Sequence, residues 1–261
     1  MSTVVITGAS TGIGRALALA WGDRGATVIL SARSAEPLRE VAIEVERRGG
    51  RARVVPGDVT DGAHRSALVA EAIAAGGGID VVVNNAGRGY YALFPEIDLD
   101  GLRALFELNV VAPLALTQLA LPHLVSARGA VVMISSVAGV VAAPRYAAYS
   151  ATKFALEGLS MAMRAELSGR GVRVLVVRPG PVDTRFRANA ARGENERGYT
   201  RPDPKAQSAE DVAARTLRAV DRGRAVDETS LFVRFSSAVA RHTPFAMRGA
   251  LARMADRPPP E

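Results

Sequence analysis

The sequence predicts an α/β fold: a doubly wound parallel sheet of about seven strands between two layers of helices. Three observations carry that expectation. Short apolar runs rich in valine and isoleucine recur along the chain, separated by stretches with helical periodicity. The runs are apolar without alternation, as strands buried on both faces are. Several end in glycine, serine or asparagine, the small and amide residues that suit a crevice at strand C-termini.

Val4-Val5-Ile6 opens the sheet and runs into Thr7-Gly8-Ala9-Ser10-Thr11-Gly12-Ile13-Gly14, where an Ala/Leu-rich helix begins. Strand, glycine loop and helix let backbone N–H groups approach a pyrophosphate, and the helix N-terminus adds a favourable partial charge. The spacing here is G-x-x-x-G-x-G. The second strand, 26–31, ends in Ser31-Ala32-Arg33. No carboxylate stands there to take a ribose 2′-hydroxyl, whereas Arg33 can pair with a 2′-phosphate, so NADP(H) is favoured over NAD(H). A solvated loop arginine is the other reading.

Residues 37–48 read as a helix, with Leu38, Val41, Ala42 and Val45 on one side. The third strand, 51–55, ends at Gly57-Asp58-Val59, where Asp58 either meets an adenine amino group or caps the next turn. A helix over 63–75 closes at three glycines. The fourth strand, 79–83, leads into Asn84-Asn85-Ala86-Gly87, a cofactor-facing composition. Residues 99–127 form a long helix with a bend expected at Pro113 or Pro122. Asn109 inside it is either a satisfied core amide or the holder of a water beside an active site. The uncharged stretches 108–127 and 129–144 are broken by polar residues or proline, so they read as buried helix and strand rather than membrane spans.

The fifth strand, 130–134, delivers Ser135 and Ser136, and the segment SSVAGVVAAPRYAAYSATK (135–153) carries the chemistry. Tyr149 and Lys153 stand at i and i+4, on one helix face. An ammonium beside a phenol favours the phenolate and lowers a pKa that ordinarily lies near ~10. Such a tyrosine can exchange a proton with a substrate oxygen, and Ser136 can hydrogen-bond that oxygen. The sixth strand, 172–177, ends in Arg178-Pro179-Gly180-Pro181-Val182-Asp183-Thr184. In this topology the glycine loop, Arg33, Asn85, Ser136 and Pro179-Gly180 all follow strands at one sheet edge, and one crevice can hold them.

Residues 185–207 lack periodicity and read as a mobile loop, either a lid or a plain connection. Ser208 caps a helix to about 221, and 225–229 is a short seventh strand. The tail, 230–254, is helical in pattern, divided at Thr243-Pro244, with Arg234, Arg241 and Arg248 recurring every seven residues. A pocket wall or subunit contact is favoured, with a membrane-surface helix as the alternative. Residues 1–229 are taken as one dinucleotide-binding and catalytic domain and 230–261 as a helical extension.

The absence of cysteine excludes disulfides, thiolate catalysis and cysteine metal sites. His64, His123 and His242 lie too far apart in sequence for ligand spacing, so no metal is expected. The net charge of +7 comes from scattered arginines, which argues against a nucleic-acid partner and leaves an acidic ligand open. Residue 3 already enters a strand, leaving no room for a signal peptide, and a cytoplasmic location is the expectation.

Together these motifs resemble the short-chain dehydrogenases/reductases. The resemblance covers Thr3 to about Val220 through TGASTGIG (7–14), NNAG (84–87), Ser136, YSATK (149–153) and PGPVDT (179–184). It implies a Rossmann-like fold and an NADP-dependent oxidoreductase acting on a small, hydrophobic carbonyl or secondary alcohol. A dinucleotide-binding sensor without turnover is the alternative. Tyr149 is then the general acid/base, Lys153 its partner and nicotinamide-ribose ligand, Ser136 the carbonyl-orienting residue, and Asn109 part of a water-linked relay. Cofactor positions are Gly8, Ser10, Thr11, Gly12, Ile13, Gly14, Ser31, Arg33, Asp58, Val59, Asn85, Ala86, Gly87, Tyr149, Lys153, Pro179, Gly180, Val182 and Thr184. The family's usual contact through its long central helices implies a homodimer or homotetramer. Two departures stand out: Thr11 occupies a place where many NADP-dependent relatives carry a basic residue, and no clear glycine-bearing strand follows Gly223.

Overall fold

The structure is a computed structural model that describes residues 1–193, 206–242, 249 and 251. Among these, the strands are β1 (Thr3–Thr7), β2 (Thr27–Ala32), β3 (Arg51–Pro56), β4 (Val81–Asn84), β5 (Tyr90–Tyr91), β6 (Ala130–Ile134), β7 (Arg173–Arg178), β8 (Ala191–Arg192) and β9 (Val226–Glu228). The α-helices are α1 (Gly12–Gly22), α2 (Ala35–Arg47), α3 (Gly62–Gly76), α4 (Leu99–Phe106), α5 (Ala112–Ala127), α6 (Ala147–Ser168), α7 (Ala209–Asp221) and α8 (Leu231–His242). Seven strands form one parallel sheet in the order β3-β2-β1-β4-β6-β7-β9, and β5 pairs with β8 in a separate ribbon. The doubly wound sheet read from the sequence is thus present, including the short seventh strand.

The apolar runs are explained by burial on both faces. Val4, Ile6, Val28, Leu30, Val81, Val83, Val132 and Val177 join one core with residues of α1, α2 and α7. Their alternating neighbours Val5, Ile29, Val82, Val131, Met133, Val174 and Val176 join a second core with residues of α3, α5 and α6. Asp61 caps α3 through the Ala63 N–H, and Ser208 caps α7 through the Asp211 N–H.

Residues 99–127 run as one helical stretch, long and apolar enough to cross a membrane. Its inward residues Ala112, Leu116, Ala120 and Leu124 are fully buried in the second core. The stretch departs from α geometry just before Pro113, one of the two prolines near which a bend is expected. Glu107–Val111 is a π-helical turn, closed by a bond from the Ala112 N–H to the Glu107 carbonyl. Pro122 sits inside α5, downstream of that turn.

The first described part of the expected loop is ordered structure. Ala191–Arg192 is β8, paired with Tyr90–Tyr91, while residues 194–205 lie outside the described residues. In the tail, α8 buries Val233 and Ser237. The division at Thr243 and Pro244 and the arginine at 248 also lie outside the described residues.

Arg178, the last residue of β7, bolts three elements together. It is 8% exposed, donates to both Glu157 carboxylate oxygens on α6 at 2.9 and 2.8 Å, and donates to Glu228 of β9 at 3.1 Å. Removing one partner from a buried pair strands the other in low dielectric. Arg178→Met is expected to cost about 3–5 kcal/mol, read as a lower denaturation midpoint; a midpoint unchanged within error would show that the network contributes nothing.

Candidate active site

The chain begins at β1, moves outward to β2 and β3, and returns to β4 on the other side of β1. A crevice opens where the order reverses, at the strand C-termini. Gly8 and Gly12 there adopt left-handed backbone, with φ of +65° and +54°. At Gly14 the constraint is space: a Cβ would lie 2.2 Å from the Gly8 carbonyl oxygen and 2.5 Å from Asn85 Nδ2. Helix α1 can therefore press against the end of β1 only without a side chain at this position.

Asn85 and Thr7 tie the loop down. Asn85 Nδ2 donates to the carbonyls of Thr7 and Gly8 at 2.9 and 3.1 Å. The Thr7 hydroxyl accepts the N–H groups of Asn85 and Ala86 at 3.1 and 3.0 Å. Thr11, the N-cap of α1, makes no side-chain capping bond. The first-turn N–H groups, which a helix cannot satisfy internally, are thereby left for an external acceptor. Ile13 packs against the first core from this turn, and Ser10 is half-buried beside it.

Arg33 follows β2, exposed and without a hydrogen bond or ion pair among the described residues. Asp58 follows β3 and accepts from the Thr60 N–H at 2.9 Å and the Thr60 hydroxyl at 2.8 Å, so it does cap the following turn. The Thr60 bonds hold its carboxyl below the usual range, and Arg33 adds to the effect. Val59 is buried in the second core. The Ser31 hydroxyl is buried and lies 2.9 Å from His64 Nε2. Only its backbone serves the loop, where its carbonyl accepts the Ala9 N–H at 3.0 Å.

On the other side of the reversal, Pro179, Gly180, Val182 and Thr184 separate. Thr184 reaches the glycine loop, since a Cβ on Gly12 would meet its Cγ2 at 2.9 Å. Val182 packs against the first core, and Gly180 lies against α8 residues Val233 and Phe232. The Pro179 carbonyl accepts the Val137 N–H at 2.9 Å and so holds the Ser136 turn in place.

Ser136 caps a short 3₁₀ turn through the Ala138 N–H at 3.1 Å. Tyr149 and Lys153 both face inward from α6, at 7% and 5% exposure. Burial pushes the Tyr149 phenol well above its usual range, against a hydrogen bond from Ser136 that pulls it down and a neighbouring Tyr146 that raises it. Lys153 Nζ lies 5.7 Å from the Tyr149 ring centroid and donates to the Ile134 carbonyl at 2.8 Å. Burial brings Lys153 itself down to about 8, with Glu157 opposing.

Asn109 sits within the π-helical turn at 1% exposure, with its amide occupied by protein partners. Its Oδ1 accepts the Arg88 N–H at 3.0 Å, and its Nδ2 donates to the Arg88 carbonyl at 3.0 Å and the Thr152 hydroxyl at 3.1 Å. Thr152 in turn donates to the Tyr149 carbonyl at 2.7 Å. The side-chain amide is thus satisfied by protein groups and joins the Arg88 backbone to α6. Gly87 fits between these groups: a Cβ there would lie 3.1 Å from Asn109 Oδ1 and 3.8 Å from Lys153 Nζ.

A cover lies over this floor. Gly89 accepts from the Ala191 N–H, Tyr91 from the Gly193 N–H, and Arg145 from the Ala92 N–H. Phe186 in the same cover stands 5.7 Å from the Tyr149 ring, centroid to centroid. The sequence reading missed Thr7, Thr152 and Arg88, and it had Phe186 only as part of the segment 185–207 read as a lid or connection. Thr7 and Thr152 lie inside motifs it had already isolated, whereas nothing in composition or spacing marks Arg88. Two open hollows at the opposite edge, around Arg24 and Asp80 and around His123, lack any comparable cluster. No metal-binding group occurs among the described residues.

Residues 2–195 match the family described as short chain dehydrogenase. An uncharacterized oxidoreductase of Methylorubrum extorquens is 37% identical over 209 residues, 79% of this chain and 84% of that protein. The crystal structure of a short-chain dehydrogenase from Streptomyces avermitilis superposes with a TM-score of 0.83 at 32% identity, covering 98% of both chains. An alcohol dehydrogenase from the archaeon Thermococcus sibiricus, complexed with 5-hydroxy-NADP, gives a TM-score of 0.77 at 27% identity, covering 87% of this chain and 94% of that one.

The buried lysine has a measurable cost. Its folded pKa of about 8 lies below the ordinary 10.5, so the unfolded chain binds more protons between those values. Stability contributed by this group rises with pH across that window, and the penalty is fully present below it. Lys153→Met is expected to stabilise the cofactor-free protein at pH 7 by on the order of 1–3 kcal/mol. The gap should narrow at pH 9. A variant melting below the parent at both pH values would show that the bond to Ile134 outweighs the burial of charge.

Proposed function

The chain belongs to the short-chain dehydrogenase family, and on that premise we propose that it is an NADP(H)-dependent oxidoreductase acting on a carbonyl or secondary alcohol. The observation that supports this most directly is the convergence of Ser136, Tyr149 and Lys153 beside the glycine cradle, under a cover bearing Phe186.

The residues fit a dinucleotide. The uncapped first turn of α1 suits a pyrophosphate, and Gly8, Gly12 and Gly14 leave room for its approach. Arg33, without a partner among the described residues at the end of β2, suits a 2′-phosphate, and Asp58 and Val59, which follow β3 at the same sheet edge, would meet the adenine. The NADP derivative bound by the Thermococcus sibiricus relative is in keeping with this choice. When bound, the nicotinamide supplies or accepts the hydride.

The protein's share is proton transfer and orientation. In reduction, the substrate carbon gains a hydride and its oxygen gains the Tyr149 proton. The Ser136 hydroxyl steadies the negative charge that develops on that oxygen. A phenol raised by burial stays protonated at neutral pH, which suits the acid role. Lys153, mostly charged below pH 8, is placed to stabilise the phenolate left behind. Asn109 serves by fixing Arg88 and, through Thr152, the Tyr149 backbone. We also place a homo-oligomeric contact on the outer faces of α5 and α6, where Leu119, Phe154, Leu159 and Met161 are exposed.

Tyr149→Phe is expected to lower turnover at least ~10²–10⁴-fold while leaving NADPH binding by fluorescence intact; near-parental turnover would remove the phenol from the mechanism. Arg33→Ala is expected to raise KM for NADPH about 10–100-fold, from the loss of charge-assisted bonds, with little change for NADH. Equal effects on both cofactors would overturn the NADP assignment.

A further inference from the structure

The cover of the site is positive where it meets the floor. Arg88 directly follows Gly87 and has its backbone held on both sides by Asn109. Its Nε donates to the Asn189 carbonyl at 3.2 Å, across to the turn before β8. Its two Nη groups carry four further N–H donors, and none has a partner among the described residues. Arg192, paired in register with Tyr91, donates among the described residues to the backbone carbonyls of Ala188 and Arg187. Neither Arg88 nor Arg192 has a carboxylate partner among the described residues.

Tyr91 stands beside Arg192 in the ribbon register, on the strand segment that follows Arg88. It is 8% exposed, packs edge-on to Tyr146 at 4.8 Å, and its hydroxyl takes no hydrogen bond among the described residues. Desolvation raises this phenol, Tyr146 and Tyr149 raise it further, and Arg187 and Arg192 pull it down. Those interactions put Tyr91, Arg187, Arg192 and Tyr149 in one electrostatic neighbourhood, and Arg88 joins the same cover through the Asn189 carbonyl. A planar guanidinium with free Nη donors matches a carboxylate bidentately, and a neutral phenol can add a third donor. Aromatic walls between two donor sets suit a short apolar spacer.

We propose that the substrate is an oxo acid, its carbonyl held at Ser136 and Tyr149 and its carboxylate held by Arg88, with Arg192 and Tyr91 at the rim. This rests on the hydride-transfer reading given above and adds a charge requirement to it. In reduction the balance is one oxo acid, one NADPH and one proton to one hydroxy acid and one NADP⁺, with the carboxylate unchanged.

The test compares benzoylformate and 3-benzoylpropionate with their methyl esters as substrates for the full-length protein with NADPH. Alongside, isothermal titration of 3-phenylpropionate in the presence of NADP⁺ reads carboxylate binding without turnover. The parent is expected to favour an acid over its ester at least ~10-fold in kcat/KM, as a hydrogen bond to a charged group implies. That ratio and the titrated affinity are each expected to fall at least ~10-fold in Arg88→Met. Arg88→Lys should recover part of both, because it keeps the charge and loses the fork. Should Arg88→Met not fold, the same losses are expected in smaller degree from Arg192→Met. Esters reduced as well as or better than acids would overturn the oxo-acid assignment while leaving the oxidoreductase standing. Carboxylate binding that depends on Arg88 without turnover of any probe would uphold the anion site and count against the reaction. Neither binding nor turnover would overturn both.

Discussion

The crevice depends on how closely the ends of β1 and β4 approach each other. Asn85 places its amide across the break between them and satisfies two carbonyls of the first strand's exit, while the Thr7 hydroxyl takes two N–H groups of the fourth strand's exit. The loop after β1 would otherwise carry unpaired backbone groups in a half-buried place. The knot satisfies them without filling the space above, because Gly14 offers no side chain to compete with the amide. Cradle geometry and helix packing are thus set by one cluster of hydrogen bonds at the point where the strand order reverses.

The catalytic floor is arranged by a similar device on the other side of β4. A π-helical turn places Asn109 so that its amide clasps the Arg88 backbone and reaches Thr152. The floor therefore links β4, the long helix and α6 through one side chain. An extra residue in a helical turn forgoes regular i→i−4 bonding, and such turns recur at functional positions. Lys153 adds a second cost, since an ammonium is buried against a carbonyl with no carboxylate among the described residues in hydrogen-bonding contact. Stability is given up at the places where chemistry is expected.

Much of this was legible in the chain because the signals are periodic or local. Strands buried on both faces must be continuously apolar, so β1, β2, β4, β6 and β7 show plainly in the sequence. Tyr149 and Lys153 declare themselves by helical spacing, and the glycine loop by its place between strand and helix. The π-helical turn was not legible, because an i→i−5 bond has no compositional mark and the prolines nearby attracted the expectation of a bend. The β5–β8 ribbon escaped notice because two-residue strands carry no period. Ser31 was assigned by position at a strand end, and position alone does not say which way a hydroxyl turns; His64, one of three histidines with no evident role, claimed it. Lys153 faces its helical neighbour Tyr149 as the spacing implies, and its length also carries it to the strand carbonyl of Ile134, which the spacing does not show.

The cover is moored twice. The backbone is fixed to the β5 segment through Ala191 and Gly193, and fixed again where Gln207 exchanges bonds with Pro181 and Asp183 beside Val182. Whatever the intervening chain contains, it departs from one anchored point and returns to another. Closing a longer excursion between fixed ends costs free energy only logarithmically in length. Insertions and deletions between the moorings are therefore cheap for the cradle, the phenol and the lysine alike. The architecture separates the reacting groups from an exchangeable vestibule, so a lineage built on this scaffold could change its diet without relearning its chemistry.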